Sequence, residues 1–379
     1  MNYFKVLRTL QYGDKSSFDI SVEEQKTYLK SLGDADGDID RGFKQYLCQN
    51  YCVKGWKVWT LNIVAAILVP FMVAYFLLKG VCSKKGEKVH TIIEDKGMVE
   101  VIPQIVTDTY HPDCRYWHER ASLSLRDLNF LLKMIARVPR HPYFVLKAMM
   151  NVAYYSDMIR SHCPSVIIQF GEFSFSSSVL TAYCHEKGVK HIDIMHGEKL
   201  FFIRDAFFHY DECYVWDEYY AELFRSLMAE PTQFRVALPS SLRIDADSFK
   251  NSKVFSDYKY YLAFYNEEQI ASIVRSMAFA KGEGKIVKYR PHPRYSDIDL
   301  LNKYVPAEEI EMPKEVGILE SISNLGYAVG SYTTVLSQAY FSGKGVVLDD
   351  VTFESEFHKL KEFKYILSSK DTVKLSELQ

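Results

Sequence analysis

The feature that most restricts the fold is a regular alternation of two kinds of segment after Lys85. Short apolar runs such as "SVIIQF", "KHIDIM" and "GVVLD" are separated by helix-length stretches whose apolar residues lie three and four positions apart. Strands that alternate with helices in this way form parallel sheets covered by helices. The sequence therefore predicts an α/β protein built from Rossmann-like, doubly wound units.

The alternation forms two series, which predicts two domains. In the first series we predict strands at "KVHTIIE", at 99–106 ("VEVIPQIV"), and at "SVIIQF", "KHIDIM" and "ECYVW". The second begins near residue 246, with strands at "KYYLAFY", "KIVKYR", "LGYAVG" and "GVVLD". A chain of 379 residues suits two domains and an appendage. We assign 1–85 to an N-terminal helical region, 86–240 to an acceptor-binding domain and 241–379 to a donor-binding domain, with a cleft between the two domains.

Residues 58–78, "VWTLNIVAAILVPFMVAYFLL", carry no charged side chain and are flanked by lysines on both sides. Such a run is long enough to span a bilayer, and flanking charge on both sides gives no orientation. Pro70 lies near its middle, where a kink or a re-entrant hairpin is easily formed. We expect a helix that dips into or lies on a membrane. The alternative is an unusually apolar core helix of a soluble protein.

Charge and cysteine content exclude several classes of protein. The net charge of −2 argues against a nucleic-acid partner. Seven cysteines without a CxxC pair argue against a disulfide framework or a zinc knuckle. The acidic run at 34–40 lacks the Gly and Glu that a calcium loop requires, and the Asp-x-Asp at 297–299 is interpreted as a helix start. We therefore expect no metal and no cofactor.

A cationic His-Pro loop, "KYRPHPRYSD", follows the predicted strand "KIVKYR". It lies at the carboxyl end of the strand, where open α/β sheets bind their ligands. The imidazole of His292 and the guanidinium groups of Arg290 and Arg294 are donors that suit a phosphate. The two other His-Pro pairs of the chain, which begin at residues 111 and 141, do not follow a predicted strand.

A second phosphate-binding pattern, "GSYTTVLSQA", begins about 40 residues later and also follows a predicted strand. Its Gly330, Ser331, Thr333 and Thr334 stand at a predicted helix start, where backbone N–H groups and the helix dipole attract anions. A threonine that only caps the helix is the alternative. The two patterns together predict a phosphate site in the second domain.

Candidates for a general base stand at two predicted strand ends of the first domain. Glu172 follows "SVIIQFG", and His196 with Glu198 follows "KHIDIM". Either Glu172 or His196 can take a proton from an acceptor hydroxyl if its pKa is tuned toward neutrality. Alternatively, Glu172 stabilises a helix start and His196 shapes a tight turn. We expect Glu172 to be the base, with His196 second, and expect Glu198 and Arg204 to contact the acceptor.

The order of a His-Gly turn, a His-Pro loop and a GS-x-TT helix start resembles the bacterial B-type-fold glycosyltransferases of capsule and lipopolysaccharide synthesis, especially the sialyltransferase-like and Kdo-transferase-like ones. The resemblance covers roughly residues 86–350. It implies that His292, Ser331, Thr333 and Thr334 hold the phosphate of a CMP-activated sugar, and that an acidic residue of the first domain is the base. The acidic motif of those relatives, two acidic residues followed by Gly, is absent here.

The resemblance also implies partners and a location. The expected partners are a nucleotide-activated sugar, which is a substrate rather than a cofactor, and a glycan or lipid-linked glycan acceptor. The expected location is the cytoplasmic face of the bacterial inner membrane, whose surface would be a further partner.

Two other functions fit the same motifs. Teichoic-acid polymerases are similar in pairing a His-Gly motif with a His-Pro motif, and they transfer a polyol phosphate from a CDP-polyol. Their helix-start motif usually carries an aspartate where this chain has Gly330 and Ser331, which favours the sugar transferase. A non-catalytic, membrane-associated glycan-binding scaffold with the same fold is the third possibility, since a fold does not determine a function.

Overall fold

The computed structural model describes residues 16–81, 86–94, 99, 101–112, 114–115, 120–244, 255–263 and 265–379. Contacts divide them into two compact units. The first comprises the described residues up to His196 together with Phe201–Leu238, and the second comprises Gly197–Leu200 and Pro239–Gln379. The short segment Gly197–Leu200 thus belongs to the second unit.

The first unit contains a six-stranded parallel sheet with the strand order β2-β1-β3-β4-β5-β6. The order reverses between β1 and β3, and at such a point the loops that follow the strands diverge and leave a crevice. The residues of β3 are all buried, as expected of a parallel strand covered on both faces. The strands are β1 Thr91–Ile93, β2 Cys114–Arg115, β3 Val166–Gln169, β4 Lys190–Ile194, β5 Glu212–Val215 and β6 Phe234–Val236.

Eight α-helices of the first unit are described. They are α1 Val22–Leu32, α2 Asp38–Asn50, α3 Gly55–Val81, α4 Gln104–Tyr110, α5 Leu128–Arg137, α6 Pro142–His162, α7 Ser177–Lys187 and α8 Glu218–Ser226. The apolar run lies in α3, a single helix that continues through Pro70, so no hairpin forms there. The predicted long apolar helix near the N-terminus is therefore present, and its Leu61, Ala65 and Phe76 are buried in the core of the unit.

The strand predicted at 99–106 is wrong, because helix α4 begins within this range. Pro103 is the residue before the helix, with φ −62° and ψ 145°. Proline cannot donate to a sheet ladder, yet its restricted φ is compatible with a helix start. The second strand follows instead at Cys114–Arg115, and it is too short to give an apolar pattern.

The second unit contains a five-stranded parallel sheet with the order β11-β10-β9-β7-β8, which reverses between β7 and β9. The prediction of two doubly wound, Rossmann-like units is therefore confirmed. The strands are β7 Ser256–Tyr261, β8 Val287–Arg290, β9 Leu325–Gly330, β10 Gly345–Leu348 and β11 Val373–Lys374. The helices described here are α9 Glu267–Ser276, α10 Ala278–Gly282, α11 Ile298–Leu301, α12 Ile318–Ser323, α13 Thr334–Phe341 and α14 Glu354–Glu362.

Candidate functional site

Both predicted phosphate motifs lie at the carboxyl edge of the second sheet, on either side of β7. In the sheet ladder, Tyr261 of β7 pairs with Arg290 of β8, and Tyr260 pairs with Val329 of β9. The loops that follow β8 and β9 therefore leave the sheet at the same edge, separated by about 10 Å because neighbouring strands lie about 4.8 Å apart. One phosphate-bearing ligand can contact both loops. This edge is also where the strand order reverses, which is the usual ligand position in such sheets.

Hydrogen bonds within the His-Pro loop orient the ring of His292. The backbone N–H of Arg294 donates to Nδ1 of His292 at 3.1 Å, and the ring stacks on Tyr295 with centroids 4.5 Å apart. Because Nδ1 accepts a hydrogen bond, the neutral ring carries its proton on Nε2. His292 is half-buried and the side chain of Arg294 is exposed. The loop thus presents one imidazole donor and one exposed cation.

Hydrogen bonds connect two of the loops at this edge, those that follow β7 and β8. The backbone N–H of His292 donates to Oγ of Ser296 at 2.8 Å, and the Ser296 hydroxyl donates to the carbonyl of Ala263, in the loop after β7, at 2.6 Å. Burial raises the pKa of Tyr265, in the loop after β7, to about 12. The loops after β7 and β8 are therefore connected before any ligand binds, which lowers the entropic cost of ordering them on binding.

Arg290 differs from Arg294 because its side chain is buried. Its Nη1 donates to Oε1 of Glu311 at 2.7 Å, and its Nη2 donates to the carbonyl of Val316 at 2.8 Å. Glu311 also accepts from Nζ of Lys259 at 2.5 Å and from the hydroxyl of Ser321. Burial alone would raise the pKa of Glu311, but the hydrogen bonds from Lys259 and Ser321 outweigh it and lower the pKa. Arg290 is thus placed to fix the end of β8 rather than to reach a ligand.

The second motif forms the predicted helix start. Strand β9 ends at Gly330, Ser331 is buried, and Thr333 is the N-cap residue of α13, whose first helical residue is the exposed Thr334. The hydroxyl of Thr333 accepts from the N–H of Val335 at 3.4 Å, which is a long and weak hydrogen bond. Thr333 therefore caps helix α13. The backbone N–H of Thr334 and the positive end of the helix dipole remain directed toward the carboxyl edge of the second sheet.

Glu198 lies beside this helix. The hydroxyl of Ser337, in α13, donates to Oε2 of Glu198 at 2.6 Å. Burial, followed by the charge of Glu198, raises the pKa of Tyr332 to about 12. Although we expected Glu198 at the acceptor, the structure places it in the second unit, against the helix of the phosphate motif.

The two base candidates of the first unit form one pair. Oε1 of Glu172 lies 3.7 Å from Nδ1 of His196, at the ends of the neighbouring strands β3 and β4. The Glu172 side chain is fully buried, whereas 23% of the His196 side chain is exposed. The rings of Phe170 and Phe173 contact the imidazole edge-on. A buried carboxylate behind a partly exposed imidazole can stabilise the imidazolium that forms when the histidine accepts a proton.

Residues that the sequence analysis missed hold this pair in place. The backbone N–H of Gly171 donates to Oδ1 of the buried Asp193 at 2.8 Å. Nε2 of Gln45, in helix α2, donates to the carbonyl of Glu172 at 2.8 Å and to the carbonyl of Arg204 at 3.1 Å. The Arg204 side chain itself is half-exposed and donates to Asp205. The one signal in the sequence for these supporting contacts was Asp193, an acidic residue inside the apolar strand "KHIDIM".

A buried polar cluster lies at the strand reversal of the first sheet. The hydroxyl of Tyr155, in α6, lies 3.1 Å from Oε2 of Glu94, 3.0 Å from Oε1 of Gln169 and 3.0 Å from Nε2 of His191. Burial lowers the pKa of His191 to about 3, so this imidazole is neutral. The cluster ties the ends of β1 and β3 together. Among the residues that the structure describes, no group of three His, Cys, Asp or Glu side chains is arranged to hold a metal ion.

Comparison with known proteins finds similar structures but no matching sequence. No family model and no curated protein sequence matches the chain. Similar solved structures include the H548A variant of the wall teichoic acid polymerase TagF, at 9% identity, with 86% of this chain and 89% of that chain covered and a TM-score of 0.44. The UDP-GlcNAc 2-epimerase from Methanocaldococcus jannaschii covers 75% of this chain at 14% identity, over 93% of its own length, with a TM-score of 0.42.

The apo form of the lipopolysaccharide outer core galactosyltransferase WaaB is also similar, at 12% identity, with 69% of this chain and 80% of that chain covered and a TM-score of 0.40. These TM-scores and identities correspond to a distant similarity in backbone structure. The assignments made for individual residues therefore depend on the geometry of this chain alone.

Proposed function

We propose that this chain is a glycosyltransferase of bacterial surface polysaccharide synthesis, which takes a sugar from a nucleotide-activated donor bound by the second unit. The observation that carries the proposal is the position of the His-Pro loop and the Gly330–Thr334 helix start. They flank β7 at the strand reversal of a parallel sheet. Both offer donors that suit a phosphate, and this is the edge where such sheets bind nucleotides.

The donor phosphate would be held by preorganised groups. Nε2–H of His292, the backbone N–H of Thr334 and the guanidinium of Arg294 supply hydrogen bonds and positive charge. The hydroxyl of Ser331 and the helix dipole of α13 add to the same field. These groups stabilise the negative charge that develops on the nucleotide when the bond to the transferred sugar breaks. They perform that task without a bound metal ion.

We propose His196 as the general base and Glu172 as the residue that positions and stabilises it. His196 is the partly exposed member of the pair, so it is the one that can reach a hydroxyl. As the acceptor oxygen attacks the anomeric carbon, His196 takes the hydroxyl proton and the nucleotide leaves with the electrons of the broken C–O bond. Glu172 offsets the charge of the imidazolium. This assignment reverses the expectation from the sequence, in which Glu172 was the base and His196 was second.

The identity of the donor separates two candidate chemistries. A CMP-activated acid sugar agrees with Gly330 and Ser331 at the helix start, which lacks an aspartate. A CDP-polyol agrees with the exposure of His196, because the His-Gly histidine is the base expected of a teichoic-acid type polyol phosphotransferase. In that second candidate function the acceptor hydroxyl attacks the β-phosphorus and CMP leaves.

We also propose that helix α3 attaches the protein to the cytoplasmic face of the inner membrane, where a lipid-linked glycan acceptor would be found. Among the described residues, α3 alone is long and apolar enough to cross a bilayer. Its exposed apolar side chains recur every three or four positions and so form one stripe, about 40 Å long at 1.5 Å per residue. The members of this stripe are Trp56, Trp59, Ile63, Ile67, Phe71, Tyr75, Leu78 and Val81.

The opposite face of α3 is fixed to the protein at both ends, which favours a helix that lies on the membrane over one that spans it. Near its start, Oδ1 of Asn62 accepts from the N–H of Tyr143 at 3.1 Å. Near its end, the carbonyl of Phe76 accepts from the N–H of Leu123 at 2.9 Å. A helix held in this way can submerge only its exposed stripe, with the tryptophans at the interface.

Transfer assays with both donors test the enzymatic proposal. Full-length protein and its Glu172→Gln and His196→Ala variants would be given a CMP-linked acid sugar and a CDP-polyol with a glycan acceptor, and product and nucleotide affinity would be measured. We expect His196→Ala to lose transfer by about a hundredfold or more and Glu172→Gln to lose less, with nucleotide affinity unchanged in both. His185→Ala, which removes an exposed histidine paired with Asp211, is the matched control.

The outcomes separate the alternatives. Full transfer by His196→Ala would refute its assignment as the base, and a larger loss in Glu172→Gln would restore the carboxylate to that role. Tight nucleotide binding without transfer to any acceptor would instead support the non-catalytic scaffold.

A further inference from the structure

A pocket of about 660 Å³ opens at the carboxyl end of α3, against the ends of α6 and α7 and the segment that precedes α5. Its mouth is apolar, since Leu78, Val81 and Leu125 line it with 72%, 84% and 77% of their surfaces exposed. Leu78 and Val81 are also the last members of the exposed stripe of α3. The mouth of the pocket therefore continues the surface that we propose lies in the membrane.

One wall of the pocket is cationic. Arg126, Arg160 and Lys187 line it, and Asp127 is the one carboxylate among the lining residues. The charge of Asp127 is already compensated, because Nζ of Lys187 and the hydroxyl of Tyr183 both donate to Oδ1 at 2.8 Å. Burial would raise the pKa of Asp127, but hydrogen bonds from Lys187 and its other partners lower it to about 2. Nη2 of Arg160 in turn lies 3.9 Å from Oδ1 of the buried Asp157. Three cations therefore face two carboxylates, and one positive charge is in excess, that of the exposed Arg126.

We propose that this pocket binds one anionic phospholipid of the membrane, with its phosphate at the cationic wall and an acyl chain against the apolar mouth. The combination of apolar side chains and cations around one pocket matches a molecule that joins an acyl chain to a phosphate. The volume lies in the range of ordinary ligand pockets. The backbone segments around it are closely packed, because a side chain at Gly80 would place Cβ 1.9 Å from the carbonyl oxygen of Leu123.

The occupant is a lipid of the bilayer rather than the reacting acceptor. Helix α7 runs from Ser177, close in the chain to Glu172, to Lys187 in the pocket wall. Its 11 residues cover about 16 Å at 1.5 Å per residue. The pocket therefore lies at the opposite edge of the sheet from the Glu172–His196 pair, too far for a phosphate bound there to carry the attacking hydroxyl. The inference rests on the membrane attachment proposed above and adds a lipid preference to it.

Native mass spectrometry of the full chain in mild detergent tests the proposal. The protein would be titrated separately with phosphatidylglycerol, phosphatidylcholine and inorganic phosphate. We expect one phosphatidylglycerol per chain, retained about tenfold better than phosphatidylcholine. The Arg126→Gln variant should lose about fivefold of that retention, the usual contribution of one cation facing an anionic lipid. Arg275→Gln, an exposed arginine of the second unit, should lose none.

A second pair of variants tests the apolar mouth. Leu78→Asp should weaken retention of phosphatidylglycerol, whereas Leu132→Asp, which is 64% exposed but does not line the pocket, should not. Equal retention of the two lipids, or unchanged retention in Arg126→Gln, would overturn the proposal. Inorganic phosphate bound as tightly as the lipid would also overturn it.

Flotation of the same protein with vesicles separates this inference from membrane attachment itself. Protein that holds one phosphatidylglycerol in detergent but does not float with phosphatidylglycerol vesicles would support the pocket and refute the attachment. Protein that floats equally well with phosphatidylcholine vesicles, and shows no lipid preference in detergent, would support the attachment and refute the pocket.

Discussion

Replacing Glu311 with glutamine should destabilise the second unit and loosen the His292 loop. Glu311 is the single carboxylate between Lys259 and Arg290, and the three side chains are only 5%, 1% and 6% exposed. The substitution preserves the shape and removes the charge, so two buried cations lose the group that compensates them. Breaking a buried ion pair in this way typically costs about 3–5 kcal/mol.

The lower end of that range is expected here. Burial lowers the pKa of Lys259, and the interactions with Glu311 raise it again in part. When Glu311 is replaced, Lys259 can lose its proton and relieve some of the penalty. We therefore expect Glu311→Gln to lower the free energy of unfolding by about 3 kcal/mol, which shifts a urea midpoint by about 1.5 M at a slope of about 2 kcal/mol per M.

Urea denaturation of the wild type and of two variants measures this change. Glu308→Gln is the matched control, because Glu308 is exposed and lies three positions before Glu311; its effect should stay within about 0.5 kcal/mol. Glu311→Gln should also weaken nucleotide binding, since Arg290 fixes the start of the His-Pro loop. A change in Glu311→Gln no larger than that in the control would refute the reasoning.

Three further predictions concern the first unit. The pKa of Asp127 is lowered from 3.8 to about 2, so the carboxylate stabilises the fold by about 2 kcal/mol above pH 3.8; this contribution is lost as the pH falls toward 2, and Asp127→Asn should remove it in urea titrations at neutral pH. Gly80→Ala should lower the melting temperature, because its Cβ would lie 1.9 Å from a carbonyl oxygen, whereas Gly55→Ala, with nothing within 4 Å, should not. Ile67→Asp, in the exposed stripe of α3, should move the protein from the membrane fraction to the soluble fraction, with Leu132→Asp as the control.

The sequence predicted the two sheets because buried parallel strands read as continuous apolar runs. The strand Val166–Gln169 is buried at every position, and its apolar letters could be recognised directly. The prediction failed at 99–106, where apolar residues surround Pro103 and the chain forms a helix. It also missed Cys114–Arg115 and Val373–Lys374, since two residues are too few to give a periodic pattern.

The sequence predicted which loops form the candidate site, but it did not predict what each residue does there. Spacing alone placed Arg290 and Arg294 in the same loop, yet one is buried against Glu311 and the other is exposed. Likewise, Glu172 is buried while His196 is partly exposed. Both differences arise from packing against distant segments, such as the contact of Gln45 with the carbonyl of Glu172 across 127 positions. Contacts over such separations leave no local pattern in the sequence.

Nucleotide affinity in the His292→Ala variant tests the central claim most directly. Wild-type protein would first be screened by thermal shift against CMP, CDP, UDP and GDP, because a tight ligand raises stability by mass action. The nucleotide that binds would then be titrated calorimetrically into wild type, His292→Ala and the control His358→Ala, whose side chain is 69% exposed on α14. A hydrogen bond to a charged phosphate contributes about 1.5–3 kcal/mol, so His292→Ala should bind roughly 10 to 150 times more weakly, with His358→Ala unchanged. Folded His292→Ala protein that binds the nucleotide as tightly as wild type would contradict the assignment of this loop as the donor-phosphate site.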